Sequence, residues 1–117
     1  MADHLEKGKY GEDLATAFFL HAGFSILHRN WRHKHWEIDL IAVRNDVLHV
    51  VEVKAKISAR HGFPEEGVTK AKFRFLQSAA EEFLFLNPHW QRIQFDVLAI
   101  VLKPEPQYFL LEDVFLC

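Results

Sequence analysis

Two runs of strand-forming residues, Trp36 to Arg44 and Val47 to Lys56, are separated only by Asn45-Asp46. That spacing calls for an antiparallel hairpin with a two-residue turn, although Asp suits the second turn position less well than Gly. The turn sets the register. With Arg44 paired to Val47, counting back places Asp39 opposite Glu52 and Glu37 opposite Lys54. Strand side chains alternate faces, so all four are expected on one face of the sheet. Their neighbours Ile38, Leu40, Ile41, Val50, Val51 and Val53 mark a central, buried hairpin. Two carboxylates ~5 Å apart there repel by roughly 3 kcal/mol at an effective dielectric of about 20.

A divalent cation offsets that repulsion, since hard cations take carboxylate oxygens. Mg2+ or Mn2+ held by Asp39 and Glu52 would activate water and stabilise charge on a phosphoryl oxygen. Lys54, one step along the strand, is placed to orient that water or to meet the developing charge. Asp39, Glu52 and Lys54 are therefore the candidate catalytic residues. A plainer alternative stands beside this one. Glu37 and Lys54 form a cross-strand ion pair, Asp39 bonds to a neighbouring loop, and the register slips by two.

The remaining elements surround this hairpin. Asp3 to Ala22 reads as a helix, with Gly23 as its C-terminal cap. Phe24 to Arg29 is a short, mixed strand. A polar loop covers Ile57 to Glu66, and a second helix runs from about Gly67 to Leu86, stopping before Asn87-Pro88. Strands at Arg92 to Leu102 and Gln107 to Leu111 complete an order of α-β-β-β-α-β-β. That order predicts an α/β (α+β) arrangement, a mixed central sheet flanked by helices. The 117 residues suit one domain spanning 1–117. The lone cysteine, Cys117, permits no internal disulfide and fits a reducing, cytoplasmic setting. No apolar run is long enough for a membrane span.

The formal charge is −2, which argues against a generic nucleic-acid coat. It is unevenly spread. Lys54, Lys56, Arg60, Lys70, Lys72 and Arg74 cluster in one stretch, while the last third is acidic. Lys56, Arg60, Lys70 and Lys72 are the candidate phosphate contacts, for which local basic patches suffice. Glu12 lies on an otherwise small or apolar side of the first helix, where it either joins the metal shell or remains a solvated charge. His33 and His35 are read as surface loop residues. Trp31 and Trp36 are read as packing residues, with base stacking the alternative.

Several segments are familiar as a set. Gly-Lys-Tyr-Gly-Glu-Asp-Leu-Ala at 8 to 15, Asn30-Trp31-Arg32, Glu37-Ile38-Asp39-Leu40-Ile41, Val51-Glu52-Val53-Lys54 and Phe95-Asp96-Val97 occur in that order. Together they resemble the YraN family of small bacterial proteins, which is similar to Holliday-junction resolvases and to PD-(D/E)xK restriction-endonuclease-like nucleases. The resemblance implies a nuclease core with Asp39, Glu52 and Lys54 on its motif. It implies that Glu12 matches the helix-borne acid of the resolvase branch, making the metal set Asp39, Glu52 and Glu12. Two positions depart from it. Trp36 stands where the family usually has Gly, and Ala55-Lys56 where it tends to have Arg or Thr-Arg. Lys holds a phosphate as a point charge and not bidentately. The expected function is a Mg2+- or Mn2+-dependent endonuclease acting on structured or branched DNA, as a possible homodimer. The alternative is a nucleic-acid-binding or protein-interaction module that keeps the fold without turnover.

Overall fold

The computed structural model describes residues 2–58 and 69–114, and side chains from Gly8 onward. Helix α1 (Ala2–His21) leads into strands β1 (Ser25–His33), β2 (Trp36–Arg44) and β3 (Val47–Lys56). Helix α2 (Lys70–Leu86) then crosses to β4 (Ile93–Val101), and β5 (Gln107–Leu111) follows. The five strands form one mixed sheet in sequence order. Only the β3–β4 pairing is parallel, as a helical crossover between them allows. Among the described residues no helix is long and apolar enough to cross a membrane.

The hairpin turn forms as its length requires. Asn45 and Asp46 both take positive φ, 54° and 63°, the backbone of a type I′ turn, whose twist matches that of the strands it joins. Arg44 pairs with Val47, and the ladder continues to Leu40 with Val51. β1 is longer than the sequence suggested, running on through Asn30-Trp31-Arg32 to His33. Its alternation is obscured by a register shift between Ile26 and His28 and by Asn30 at a φ of 52°; pairing with β2 sustains it regardless. α2 begins at Lys70, capped by Thr69, whose hydroxyl accepts from the Lys72 amide. The expected start at Gly67 and the Ile57–Glu66 loop beyond Ser58 lie outside the described residues.

Each face of the sheet is covered by one helix. Ala15 and Phe19 of α1 pack with Phe24, Leu40, Ala42, Val51, Leu98 and Ile100. Ala79, Ala80 and Phe83 of α2 pack with Ile38, Ile41, Leu48 and Val50. Val50 and Val51 thus go to opposite helices, as alternation along a strand buried on both sides demands. Between Ile38 and Leu40 the alternation fails. These residues are two apart, yet Ile38 packs under α2 and Leu40 under α1. The strand turns over at Asp39.

Candidate active site

Past Leu40 and Val51 the hairpin opens into a fork. β2 continues along β1 as far as Trp36, while β3 continues along β4 to Lys56. Asp39 stands in the opening. Its Oδ2 accepts the Val53 amide at 2.9 Å, a bond that takes over where the strand ladder stops. The Glu52 carboxyl is close enough for its charge to act on Asp39. The two carboxyls converge, as the register count requires, but by way of the fork and not from one regular sheet face. Glu37 and Lys54 do not pair. Glu37 lies 3.9 Å from Arg32, and Lys54 turns to Glu52 instead.

Glu52 is 4% exposed. A carboxylate so buried costs several kcal/mol unless it is matched by opposite charge. The Lys54 Nζ lies 3.6 Å from Glu52 Oε2 and the Lys72 Nζ 3.5 Å from the same oxygen. One lysine comes from β3 and the other from the first turn of α2. Asp39 has a different balance. Burial, and then the negative charge of Glu52, push its pKa from 3.8 up to about 7; the Val53 amide and Lys72 pull the other way without cancelling the rise. Burial therefore does most to disfavour the Asp39 charge, and the negative charge of Glu52 adds to it.

Asp39 also lines a cleft of about 220 Å³ together with Gly8, Gly11 and Glu12 of α1 and Val53 and Ala55 of β3. Gly11 lets the helix approach this closely, since a Cβ there would meet that of Ala55 at 3.0 Å. Glu12 reaches the cleft, where its Oε2 accepts from Asn30 Nδ2 at 2.7 Å. Asn30 entered the sequence reading only within the Asn30-Trp31-Arg32 segment of the resemblance, with no role of its own. It stands opposite Asp39, because its neighbours Arg29 and Trp31 pair with Leu40 and Ile38. Its positive φ, 52°, is visible only in the backbone. Among the described residues no three of His, Cys, Asp and Glu are grouped closely enough to hold an ion. Asp39, Glu52 and Glu12 do not form such a group here; Glu12 shares the cleft with Asp39 and its Oε2 accepts from Asn30. Asp39 and Glu52 remain a two-carboxylate set. That suits Mg2+, which commonly takes one or two protein carboxylates and fills its other positions with water and phosphate.

The other sequence candidates are dispersed. Lys70 is exposed at the start of α2, Lys56 is half-buried at the end of β3, and Arg60 lies outside the described residues. His33 bonds to Glu82 at 3.1 Å. Trp31 and Trp36 pack at the margin of the α2-side core.

The described site residues, from Glu12 to Lys72, fall within residues 11–100, which match the uncharacterised protein family UPF0102. The chain belongs to UPF0102. A UPF0102 protein of Rhodococcus opacus (strain B4) is 42% identical over 118 residues, covering 98% of this chain and 100% of its own. One from Cytophaga hutchinsonii is 41% identical over 109 residues, covering 92% and 96%. One from Flavobacterium psychrophilum is 40% identical over 100 residues, covering 86% and 84%. These are the YraN-like, uncharacterised bacterial proteins. The UPF0102 segment also contains a buried pair that sequence reading passed over. His49 Nδ1 lies 2.7 Å from Asp96 Oδ2, while Asp96 Oδ1 accepts from the Gln94 side chain and the Asp113 amide, each at 3.0 Å. Polar residues inside the apolar runs Val47–Val51 and Phe95–Val101 were the available sign of it.

Proposed function

We propose that this UPF0102 protein is a metal-dependent endonuclease-like phosphodiesterase, built on a restriction-endonuclease-like core and acting on structured DNA. The observation that carries the reading is the Asp39–Glu52 pair gathered at the fork, with Asp39 lining a cleft and two lysines on Glu52. A magnesium or manganese ion on those two carboxylates would supply an activated water and Lewis-acid stabilisation of the phosphoryl oxygens. The chain's own groups have separable tasks. The Val53 amide fixes one Asp39 oxygen and so orients the carboxyl. Lys54 and Lys72 hold Glu52 and present ammonium groups where a phosphodiester's negative charge would arrive. Lys56, Lys70 and Arg60 would add salt-dependent contacts to flanking phosphates. A binding module on the same fold would need the basic stretch but not the strained acid pair.

The test is incubation of end-labelled linear, flapped and four-way DNA, and matched RNA, with Mg2+ or Mn2+, beside Asp39→Asn and Lys54→Met. Cleavage by the wild type, reduced by about a hundredfold or more in both variants, is expected, since one transition-state electrostatic contact is commonly worth ~10²–10³ in rate. Cleavage that survives Asp39→Asn, or none on any substrate, overturns the hydrolytic reading.

A further inference from the structure

A row of rings leads from the turn between β1 and β2 to the carboxylate pair. His35 is exposed in that turn, and its ring centre lies 4.0 Å from that of Trp36. Trp36 meets Phe75 of α2 at 5.3 Å. The Lys72 ammonium stands 5.7 Å over the Phe75 ring and 3.5 Å from Glu52 Oε2. Core packing accounts for the inner end of the row, where Trp36 borders the α2-side cluster. It does not account for His35, which carries the row into solvent. Lys34, exposed in the same turn, adds a positive charge at that outer end. Rings interleaved with ammonium groups are what single-stranded nucleic acid needs. A π face accepts any base, and the cations accept the phosphates on either side of it.

We propose that this row seats an unpaired nucleotide beside the scissile phosphate. The substrate is then nucleic acid with a single-stranded segment next to a duplex, such as a flap or an opened junction, in preference to continuous duplex. The inference rests on the phosphodiester reading of the carboxylate pair and names its substrate class. The physical reason is simple. A base inside a duplex already has both faces stacked, whereas an unpaired base has a face to offer His35 and Trp36.

Fluorescence anisotropy in EDTA, where no turnover occurs, tests it with three labelled probes: a blunt duplex, the same duplex with a single-stranded flap, and the same with an abasic flap. The flapped duplex is expected to bind about tenfold or more tightly than the blunt one, in line with the worth of a stacked base. The abasic flap, which keeps the phosphates, should lose most of that gain. His35→Ala, an exposed turn change that leaves the core alone, and Trp36→Ala should lower the flap preference, and Trp36→Phe should retain most of it. Equal binding of abasic and intact flaps, or a preference unchanged in both alanine variants, overturns the proposal. Hydrolysis is decided separately by the Asp39→Asn cleavage assay, so failure of one is not mistaken for failure of the other.

Discussion

Asp39 shows how one side chain is set by competing terms. A pKa raised from 3.8 to about 7 means that the folded protein binds more protons than the unfolded chain between those values. The Asp39 contribution to stability is then greatest below about pH 4, falls as pH rises towards 7, and levels off above it. Asp39→Asn keeps an oxygen for the Val53 amide and removes the charge. In EDTA near pH 8 it should be more stable than the wild type by about 1–3 kcal/mol, with the difference vanishing in acid. Urea unfolding across pH measures this, and a difference between the two proteins that does not change with pH would contradict the raised pKa. Magnesium or manganese should raise the wild-type Tm more at pH 8 than at pH 6, because protons compete for the same oxygens. Asp39→Asn should lose that increment. Equal shifts in both proteins would remove Asp39 from the ligand set.

At the scale of elements, the approach of α1 to β3 builds the cleft, and two glycines of the helix differ in what they contribute. A methyl group at Gly8 would meet nothing within 4 Å, whereas one at Gly11 would face Ala55 at 3.0 Å. Gly8→Ala should stabilise by about 0.5–1 kcal/mol through helix propensity alone. Gly11→Val should destabilise by about 1–3 kcal/mol, because Ala55 sits on a paired strand and has no rotamer by which to yield. Denaturant midpoints of the two variants should move in opposite directions. A stabilised Gly11→Val would show that α1 does not rest on β3 as described. α2 serves the site differently. The Thr69 cap fixes its first turn and so places Lys72 against Glu52.

Across the whole molecule, the two ends of β3 have separate roles. Its first half holds His49 against Asp96, and Asp96 binds Asp113 beyond β5, tying the far side of the sheet together. Its second half carries Glu52 and Lys54 at the fork. Asp96→Ala leaves the buried His49 without its acceptor and releases the Asp113 amide, a loss of roughly 3–5 kcal/mol. The metal-induced rise in Tm should persist in whatever fraction folds, since Asp39 and Glu52 are untouched. Calorimetry and thermal melts on the variant check both halves of that expectation. A loss of metal response in a folded Asp96→Ala would mean that the two ends are one cooperative site.

The sequence by itself determined the hairpin. A two-residue turn between two strand runs favours Arg44 against Val47, and with it the meeting of Asp39 and Glu52; the structure chose that register over one slipped by two. The helices were legible too, because Phe73, Leu76, Ala80 and Phe83 recur at helical spacing and Pro88 follows the last turn. Tertiary structure decided what the pleat cannot express. Ideal alternation put Glu37 and Lys54 together, but the β2–β3 ladder ends at Leu40 and Val51 while β2 stays with β1 and β3 with β4. That split turns Asp39 over, sends Lys54 to Glu52 and admits Lys72 from a helix eighteen residues further along the chain. Asn30 on Glu12 and His49 on Asp96 are likewise contacts between distant segments. Local spacing cannot specify them, because their partners are chosen by how the sheet and helices pack.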